Sequence, residues 1–564
     1  MLGPKLSCVV SVSGIRGIIG DTLMVEQVLG LAQAFGVAIA HCDRVVLGRD
    51  SRTTGPLLAQ AVAAGLRAVG CEVVDLGIVP TPTVAIAVSE LQAAGGVQIS
   101  ASHNGAEWNA LKFFNRDGRN VDATQLDWIL ECYKDPPMGR HRRWDAVGSW
   151  REDRTALDAH LRRVLAAVDV TAIRALRPRV LLDCVNGAGS VLAPRLLAAL
   201  GAEVIAVHDR LDLPFPRDPE PTAHNVRHLG ALVRAADADV GFVQDPDADR
   251  LAIVDEGGHY LGEEYTLVLC AAARLSAAGP SSLACTNLST SRMLEDVAAR
   301  YGARVERTRV GEANVVDGMQ KHGAVIGGEG NGGIIDPRVV LGRDSHIGMA
   351  LILELLANLK APLSEVVRTI PAYAIHKEKV ALDRAAVAAA APALKAAAWA
   401  QGAQVDERDG LKLSWPDRWV HLRASGTEPV ARIIAEAPGM HQARELADHV
   451  RAATGQDGGD DAPERFHPDA TAAPRVPPSP AEPGAAARVP NAAPAKDAPA
   501  IPVPPPLAAA ASGGGAATMP GHGASPPIQV TVAQAPVHAQ AALVAARTAV
   551  AAQDQAADPP KPVP

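Results

Sequence analysis

The chain has no CxxC pair, no basic tract and no apolar run long enough to span a bilayer. Its 7 cysteines are scattered and odd in number, so neither a disulfide framework nor a zinc site is expected, and reduced thiols fit best. A net charge of -8 argues against a protein built mainly to grip nucleic acid. The opening MLGPKLSCVVSVSGIRG lacks the charged start and sustained apolar core of a secretory leader. Together these absences predict a cytoplasmic protein with neither a nucleic-acid nor a membrane partner. GxxxxGK[ST] is also missing, which weakens any reading as an ATP-dependent kinase.

A chain of 564 residues exceeds what one hydrophobic core supports. From about residue 456 the composition turns to Ala, Pro and Gly with almost no aromatics, and residues 456–564 are expected to be disordered. Before that point strand-like and helical runs alternate. RVVLGRD, PLLAQAVAAGLRAVG and CEVVDLG form one round. RVLLDCVNGAG, SVLAPRLLAALG and AEVIAVHD form a second, and SSLACTNLST, SRMLEDVAARYG and ARVERTRVG a third. This alternation predicts three similar mixed α/β units, at 1–150, 151–256 and 257–368. After PAYAIHKEKV the character changes, and DGLKLSWPDRWVHLRASGTEPVARIIAEAP reads as two strands around a loop followed by a helix. That is a smaller α+β unit, 369–455.

Four stretches carry chemistry. In ISASHNGAEWNALKFF, a strand runs into a His-Asn-Gly turn with Gly105 as its flexible residue, displaying Ser102 beside His103 and ahead of Lys112. Such a serine either caps backbone groups or acts as a nucleophile that carries a group. FVQDPDADRLAIVDEGG has Asp245, Asp247 and Asp249 at alternating positions, followed by Arg250. Carboxylates so spaced either form a solvated acidic turn or converge on a hard divalent cation, for which Mg2+ is the expectation. An EF-hand is disfavoured because Arg250 stands where that loop requires its glycine. HLRASGTEPVARI brings together Arg423, Ser425, Gly426 and Thr427, an ordinary turn or a phosphate cradle. AVIGGEGNGGII reads as a mobile glycine-rich loop whose Glu329 and Asn331 can pair with sugar hydroxyls. Two weaker signals are Arg16 between glycines in SVSGIRGIIG, with GRDSRTTG after it, and the GxG of CVNGAGS, a weak dinucleotide signal or a tight turn.

In this order the motifs resemble the α-D-phosphohexomutase family of phosphoglucomutases, phosphomannomutases and phosphoglucosamine mutases, over residues 1 to about 455. SASHNGAEWNALK looks like the family's phosphoserine loop, DPDADR its metal loop, GEGNGG its sugar-recognition loop and RASGTEP its phosphate-binding loop. The resemblance implies four domains around a central cleft. It further implies an isomerase-class enzyme interconverting hexose 6-phosphate and hexose 1-phosphate, primed by hexose 1,6-bisphosphate. Ser102 would carry the phosphoryl group beside a Mg2+ held by Asp245, Asp247, Asp249 and the serine itself. Arg16 and Arg250 would offset charge, Lys112 or His103 would assist proton transfer, and Glu329, Asn331, Arg423, Ser425, Gly426 and Thr427 would bind substrate. The GEGNGG form resembles an archaeal-type branch often assigned to phosphoglucosamine mutase, with phosphomannomutase or phosphoglucomutase as the alternative and a non-catalytic sugar-phosphate-binding or scaffold protein as the distant one. Gly105, Ala110, Pro246 and Ala248 depart from the commonest family pattern, at positions that affect loop stiffness.

Nothing in the tail resembles a site or a core, so deleting residues 460–564 is expected to leave turnover nearly unaltered. Comparing the steady-state kinetics of the full and shortened chains checks this, and a collapse in turnover with the fold retained would show that the tail reaches the site.

Overall fold

The computed structural model describes residues 7–425 and 430–455. The expected disordered tail lies outside them. The strands in the described residues form four sheets. The first has seven strands, in the order Val9–Ser11, Gly14–Ile18, Trp108–Phe114, Gly95–Ile99, Val45–Arg49, Val73–Ile78 and Trp150–Glu152. The second runs Leu251–Asp255, Val240–Gln244, Arg179–Asp183, Glu203–Val207, and the third Arg304–Thr308, Leu283–Asn287, Ile326–Glu329, Gly333–Ile335. All three mix parallel and antiparallel pairs, and helices cover them, as the alternating runs predict.

The fourth sheet is wholly antiparallel: Ala374–Val380, Ala431–Ala437, Trp419–Ala424, Leu411–Ser414, Gln404–Asp406. Here the reading of two strands around a loop is corrected to three. Pro416 cannot continue a ladder, so the chain turns there, Trp415 N–H donates to Arg418 O at 2.8 Å, and KLS and the WVHLRA strand pair separately. The helix Met440–Ala453 follows as expected.

Burial explains why these runs become strands. Val240–Gln244 and Leu251–Asp255 are buried at every residue, which suits their continuous apolar character. One face of the first sheet packs on the helices Val25–Ala38 and Gly55–Ala68 through Leu31, Phe35, Leu58 and Leu66, with Phe35 stacked on Phe113 at 4.9 Å. Its other face belongs to a core that also contains Phe242, Leu269 and Ile352, so the first three units share one apolar interior. The fourth has its own, around Leu394, Leu413, Ile433 and Val450. None of the described helices is long and apolar enough to cross a membrane.

In every sheet the motif singled out from sequence falls in the connection of an antiparallel strand pair. Ser102 lies between Gly95–Ile99 and Trp108–Phe114, the aspartates between Val240–Gln244 and Leu251–Asp255, Asn331 between Ile326–Glu329 and Gly333–Ile335, and Ser425 between Trp419–Ala424 and Ala431–Ala437. The GxG of CVNGAGS serves packing rather than nucleotide binding. A Cβ on Gly187 would sit 2.5 Å from Pro246 O, and one on Gly189 would collide with the Gln244 side chain. These glycines let the turn after Arg179–Asp183 press against the acidic turn. Gly187→Ala is therefore expected to lower stability by about 1–3 kcal/mol, because the contact is with backbone that cannot swing away. Urea unfolding of the two proteins reads this out, and an unchanged midpoint would refute the packing role.

Candidate active site

Ser102 itself adopts the left-handed conformation, with φ +51°. The sequence reading assigned that freedom to Gly105, which is not among the residues with positive φ. What holds a non-glycine residue there is a set of side chains behind the turn. Ser102 N–H donates to Ser100 Oγ at 2.9 Å, and Ser100 Oγ donates to Asp50 Oδ2 at 2.7 Å. Arg52 pairs with the same carboxylate at 3.0 Å, and its fork donates to the carbonyls of Ser102 (2.6 Å), Asn104 (2.8 Å) and Gly105 (2.5 Å). Three carbonyls gathered on one buried guanidinium fix the turn more firmly than a glycine would loosen it.

The Ser102 hydroxyl donates to Asp245 Oδ2 at 2.6 Å, joining the first sheet's turn to the second's. Asp245, Asp247 and Asp249 are all buried, and each offers a carboxylate oxygen within 4.8 Å of the others. Asp245 Oδ1 accepts the backbone N–H groups of Asp249 (3.2 Å) and Arg250 (3.1 Å), which curls the turn so that the three side chains converge. Cations back the cluster. Lys112 Nζ lies 2.5 Å from Asp247 Oδ2 and 3.2 Å from Asp249 Oδ2, and Arg343 Nη2 donates to Asp249 Oδ2 at 2.8 Å. Thr81 donates both its hydroxyl and, at 2.9 Å, its backbone N–H to Asp247.

Electrostatics follow this geometry. Burial and the neighbouring Asp249 and Asp247 push the Asp245 carboxyl well above its usual range. For Asp249, burial acts the same way, but Arg343 and Lys112 outweigh it and hold the group below that range. Burial would discharge Lys112, yet Asp247 and Asp249 keep its ammonium more firmly protonated than usual. The His103 imidazole is driven well below its ordinary value, first by Arg250 and then by burial and Arg16.

Two buried oxygens in the cluster, Asp247 Oδ1 and Asp249 Oδ1, have no hydrogen-bond partner. Unpaired buried carboxylate oxygens are costly unless something positive meets them. With the Ser102 and Asp245 oxygens they make a hard, all-oxygen donor set, which is that of a metal-binding site.

Of the other residues expected from sequence, His103, Arg250, Arg16, Glu329 and Asn331 link to this cluster directly or through its neighbours, whereas Arg423 and Ser425 find their partners elsewhere. His103 Nδ1 lies 3.4 Å from Ser102 Oγ, and its Nε2 lies 3.9 Å from Glu220 Oε1. Arg250 Nη1 lies 4.0 Å from the same Glu220 oxygen, and Arg16 Nη1 donates to Asn104 Oδ1 at 3.3 Å. Glu329 Oε1 is committed to Asn287 Nδ2 (2.8 Å) and Gly311 N–H (3.1 Å), while Oε2 faces Asn331 Nδ2 (3.4 Å) and Arg343 Nη1 (3.9 Å). Where the sequence reads as a mobile loop, the chain forms a tight hairpin. Leu251 N–H donates to Gly332 O at 3.0 Å, and a Cβ on Gly332 would sit 2.6 Å from Leu251 O. Arg423 Nε donates to Asp409 Oδ2 at 3.2 Å, an oxygen that also accepts Val310 N–H at 3.0 Å. Ser425 N–H donates to Val430 O at 2.7 Å. Gly426 and Thr427 lie outside the described residues.

Sequence reasoning singled out GRDSRTTG without giving Asp50 or Arg52 a role, and it missed Thr81, Glu220, Glu312 and Arg343. One signal was present: LGRDS occurs twice, at 47–51 and 341–345. In both copies the aspartate accepts the backbone N–H two residues on, Arg52 N and His346 N, forming the same local turn. The first copy carries the serine turn through Arg52. The second sends Arg343 to Asp249, with Glu312 Oε2 3.0 Å from its Nε.

Family models for the phosphoglucomutase/phosphomannomutase alpha/beta/alpha domains I, II and III and C-terminal domain match residues 9–138, 158–258, 262–373 and 378–453. A phosphoglucomutase/phosphomannomutase of Thermococcus kodakarensis is 38% identical over 442 residues, covering 77% of this chain and 96% of that protein. A probable phosphoglucosamine mutase of Methanopyrus kandleri is 36% identical over 437 residues, covering 77% and 95%. Among solved structures, a phosphoglucomutase/phosphomannomutase family protein from Burkholderia thailandensis superposes with a TM-score of 0.69 at 28% identity, covering 79% of this chain and 96% of that one.

Asp247→Asn removes one charge from the donor set, so divalent-cation affinity is expected to fall at least about tenfold. Isothermal titration with Mg2+ measures it, and an unchanged affinity would remove the triad as the cation site.

Proposed function

The chain belongs to the phosphoglucomutase/phosphomannomutase family and is a phosphohexomutase, an isomerase, and on that premise we propose that it interconverts hexose 6-phosphate and hexose 1-phosphate through a phosphoserine at Ser102. One observation carries the proposal: the Ser102 hydroxyl, fixed in a left-handed turn, bonds directly to a buried aspartate triad that keeps two oxygens unpaired. A serine that only capped backbone groups would not need three buried carboxylates facing it.

Asp245, Asp247, Asp249 and Ser102 would hold Mg2+, which when bound supplies positive charge beside the transferring phosphoryl group. The phosphoserine gives its phosphoryl group to the free hydroxyl of a bound hexose phosphate, so the Ser102 O–P bond breaks as the sugar O–P bond forms. The hexose bisphosphate turns over and returns its other phosphate to Ser102. The same bisphosphate primes an enzyme that has lost its phosphate. Arg423, Ser425, Gly426 and Thr427 anchor the phosphate that is not reacting, while Glu329 and Asn331 meet the sugar hydroxyls.

The proton of the accepting hydroxyl goes to His103. Its Nδ1 is 3.4 Å from Ser102 Oγ, whereas the Lys112 ammonium is bound to Asp247 and Asp249 and offers no lone pair. Lys112, Arg16 and Arg250 contribute positive charge toward the phosphoryl oxygens. Glucosamine phosphate is the favoured sugar, on the GEGNGG form of the loop and the Methanopyrus kandleri relative's name. Glucose and mannose phosphates form the second reading, on the name of the Thermococcus kodakarensis relative.

Coupled assays with glucosamine, glucose and mannose phosphates, primed with bisphosphate, decide between them. Ser102→Ala is expected to lower turnover with the preferred sugar by about three or more orders of magnitude while the fold is kept, because the covalent relay is lost. Intact mass should show one phosphate on the parent protein and none on the variant. Near-normal turnover in the variant would defeat the relay.

A further inference from the structure

Behind the acidic turn, where the first three units meet, lies a second polar cluster that the mechanism does not use. His160, on the helix Ala156–Ala166, and Asp344 and His346, at the start of the helix Ser345–Leu359, all have zero exposure. His160 Nε2 donates to Asp344 Oδ2 at 2.9 Å, and His346 Nδ1 donates to Oδ1 at 3.0 Å. The backbone N–H of His346 also donates to Oδ1, at 2.9 Å. Thr83 Oγ1 lies 2.8 Å from His160 Nδ1. Because the carboxylate can only accept, His160 carries a proton on Nε2, and its Nδ1 is left to hydrogen-bond with the threonine hydroxyl.

Both ends of this chain of bonds run into the acidic turn. Thr83 stands two residues after Thr81, which donates twice to Asp247. Asp344 directly follows Arg343, which donates to Asp249 Oδ2 at 2.8 Å. The next residue, Ser345, donates its hydroxyl to Ala248 O at 2.6 Å and accepts from Gln244 Nε2 at 2.7 Å. The start of Thr81–Glu90, from the first unit, and the start of Ser345–Leu359, from the third, thus each hold one carboxylate of the triad. His160, from the second unit, ties the two starts together. A buried carboxylate between imidazoles is a poor way to gain stability compared with apolar packing of the same volume, so its geometry is the more informative property.

We infer that Thr83, His160 and Asp344 are positioning residues, a network that fixes Asp247 and Asp249 at the spacing a divalent cation needs. The inference rests on the reading of the triad as the cation site. Partners behind metal ligands commonly change affinity by roughly 10- to 100-fold when removed, since the ligands lose their orientation and not their charge.

The test uses the full-length protein and Mn2+, whose free-ion paramagnetic resonance signal reports binding without any need for turnover. Thr83→Val keeps the shape but loses the hydroxyl, Thr83→Ser keeps the hydroxyl, and Asp344→Asn keeps the helix cap but loses the charge. Thr83→Val and Asp344→Asn are expected to weaken Mn2+ binding roughly 10- to 100-fold and Thr83→Ser less than about twofold, with kcat falling alongside and the sugar-phosphate KM unchanged. Wild-type Mn2+ affinity in folded Thr83→Val and Asp344→Asn would overturn the inference. If Asp344→Asn fails to fold, the Thr83 pair decides alone. A second tightly bound metal equivalent lost in His346→Ala would overturn it in favour of a metal at the histidines. Mn2+ binding that responds as expected in a protein without mutase turnover would defeat the proposed function and leave the network standing.

Discussion

Three buried carboxylates whose oxygens lie within 4.8 Å of one another cannot stay charged unless cations face them. Two like charges about 4 Å apart repel by about 4 kcal/mol even at an effective dielectric constant near 20. The answering charges come from elsewhere in the chain: Lys112 from the first sheet, and Arg343 from the segment that opens the long helix of the third unit. No single unit can build the site. Packing of the first three units around a shared apolar core is what brings these cations to the carboxylates.

The four hairpins give the chemistry its layout. Each sheet contributes the connection of one antiparallel pair, and each connection carries one of the four motifs: Ser102, the three aspartates, Asn331 and Ser425. The acidic and sugar turns are joined by backbone, through Leu251 N–H on Gly332 O and a bridge between Arg250 and Gly333. The aspartate triad and the Glu329–Asn331 turn are thereby fixed relative to each other by backbone. Arg423 stands apart, on a unit with its own core, tied to the third unit through Asp409 and Val310.

Much of this was legible in the sequence, for definite reasons. Alternating apolar strands and helices announce α/β units, and DPDADR or SASHNG is conspicuous because charge or a displayed hydroxyl interrupts an apolar run. What stayed hidden acts across long sequence separations. Arg52 reaches a turn fifty residues later, Thr81 an aspartate 166 residues away, and His160 an aspartate 184 residues away. A local pattern shows what a residue can do; the partner it meets depends on the fold. The left-handed Ser102 was misassigned to Gly105 for the same reason, because the strain is held by Arg52, which the local stretch does not contain.

The measurement that bears most directly on the account is a single turnover of enzyme carrying labelled phosphate on Ser102, mixed with excess unlabelled hexose 1-phosphate and quenched. If the phosphoryl group passes through the serine, the label leaves the protein and appears on O6 of the hexose 6-phosphate, while the protein retains an equal amount of unlabelled phosphate derived from O1. Label that stays on Ser102 while product accumulates would contradict it, because the phosphoryl group would then have moved without passing through the serine.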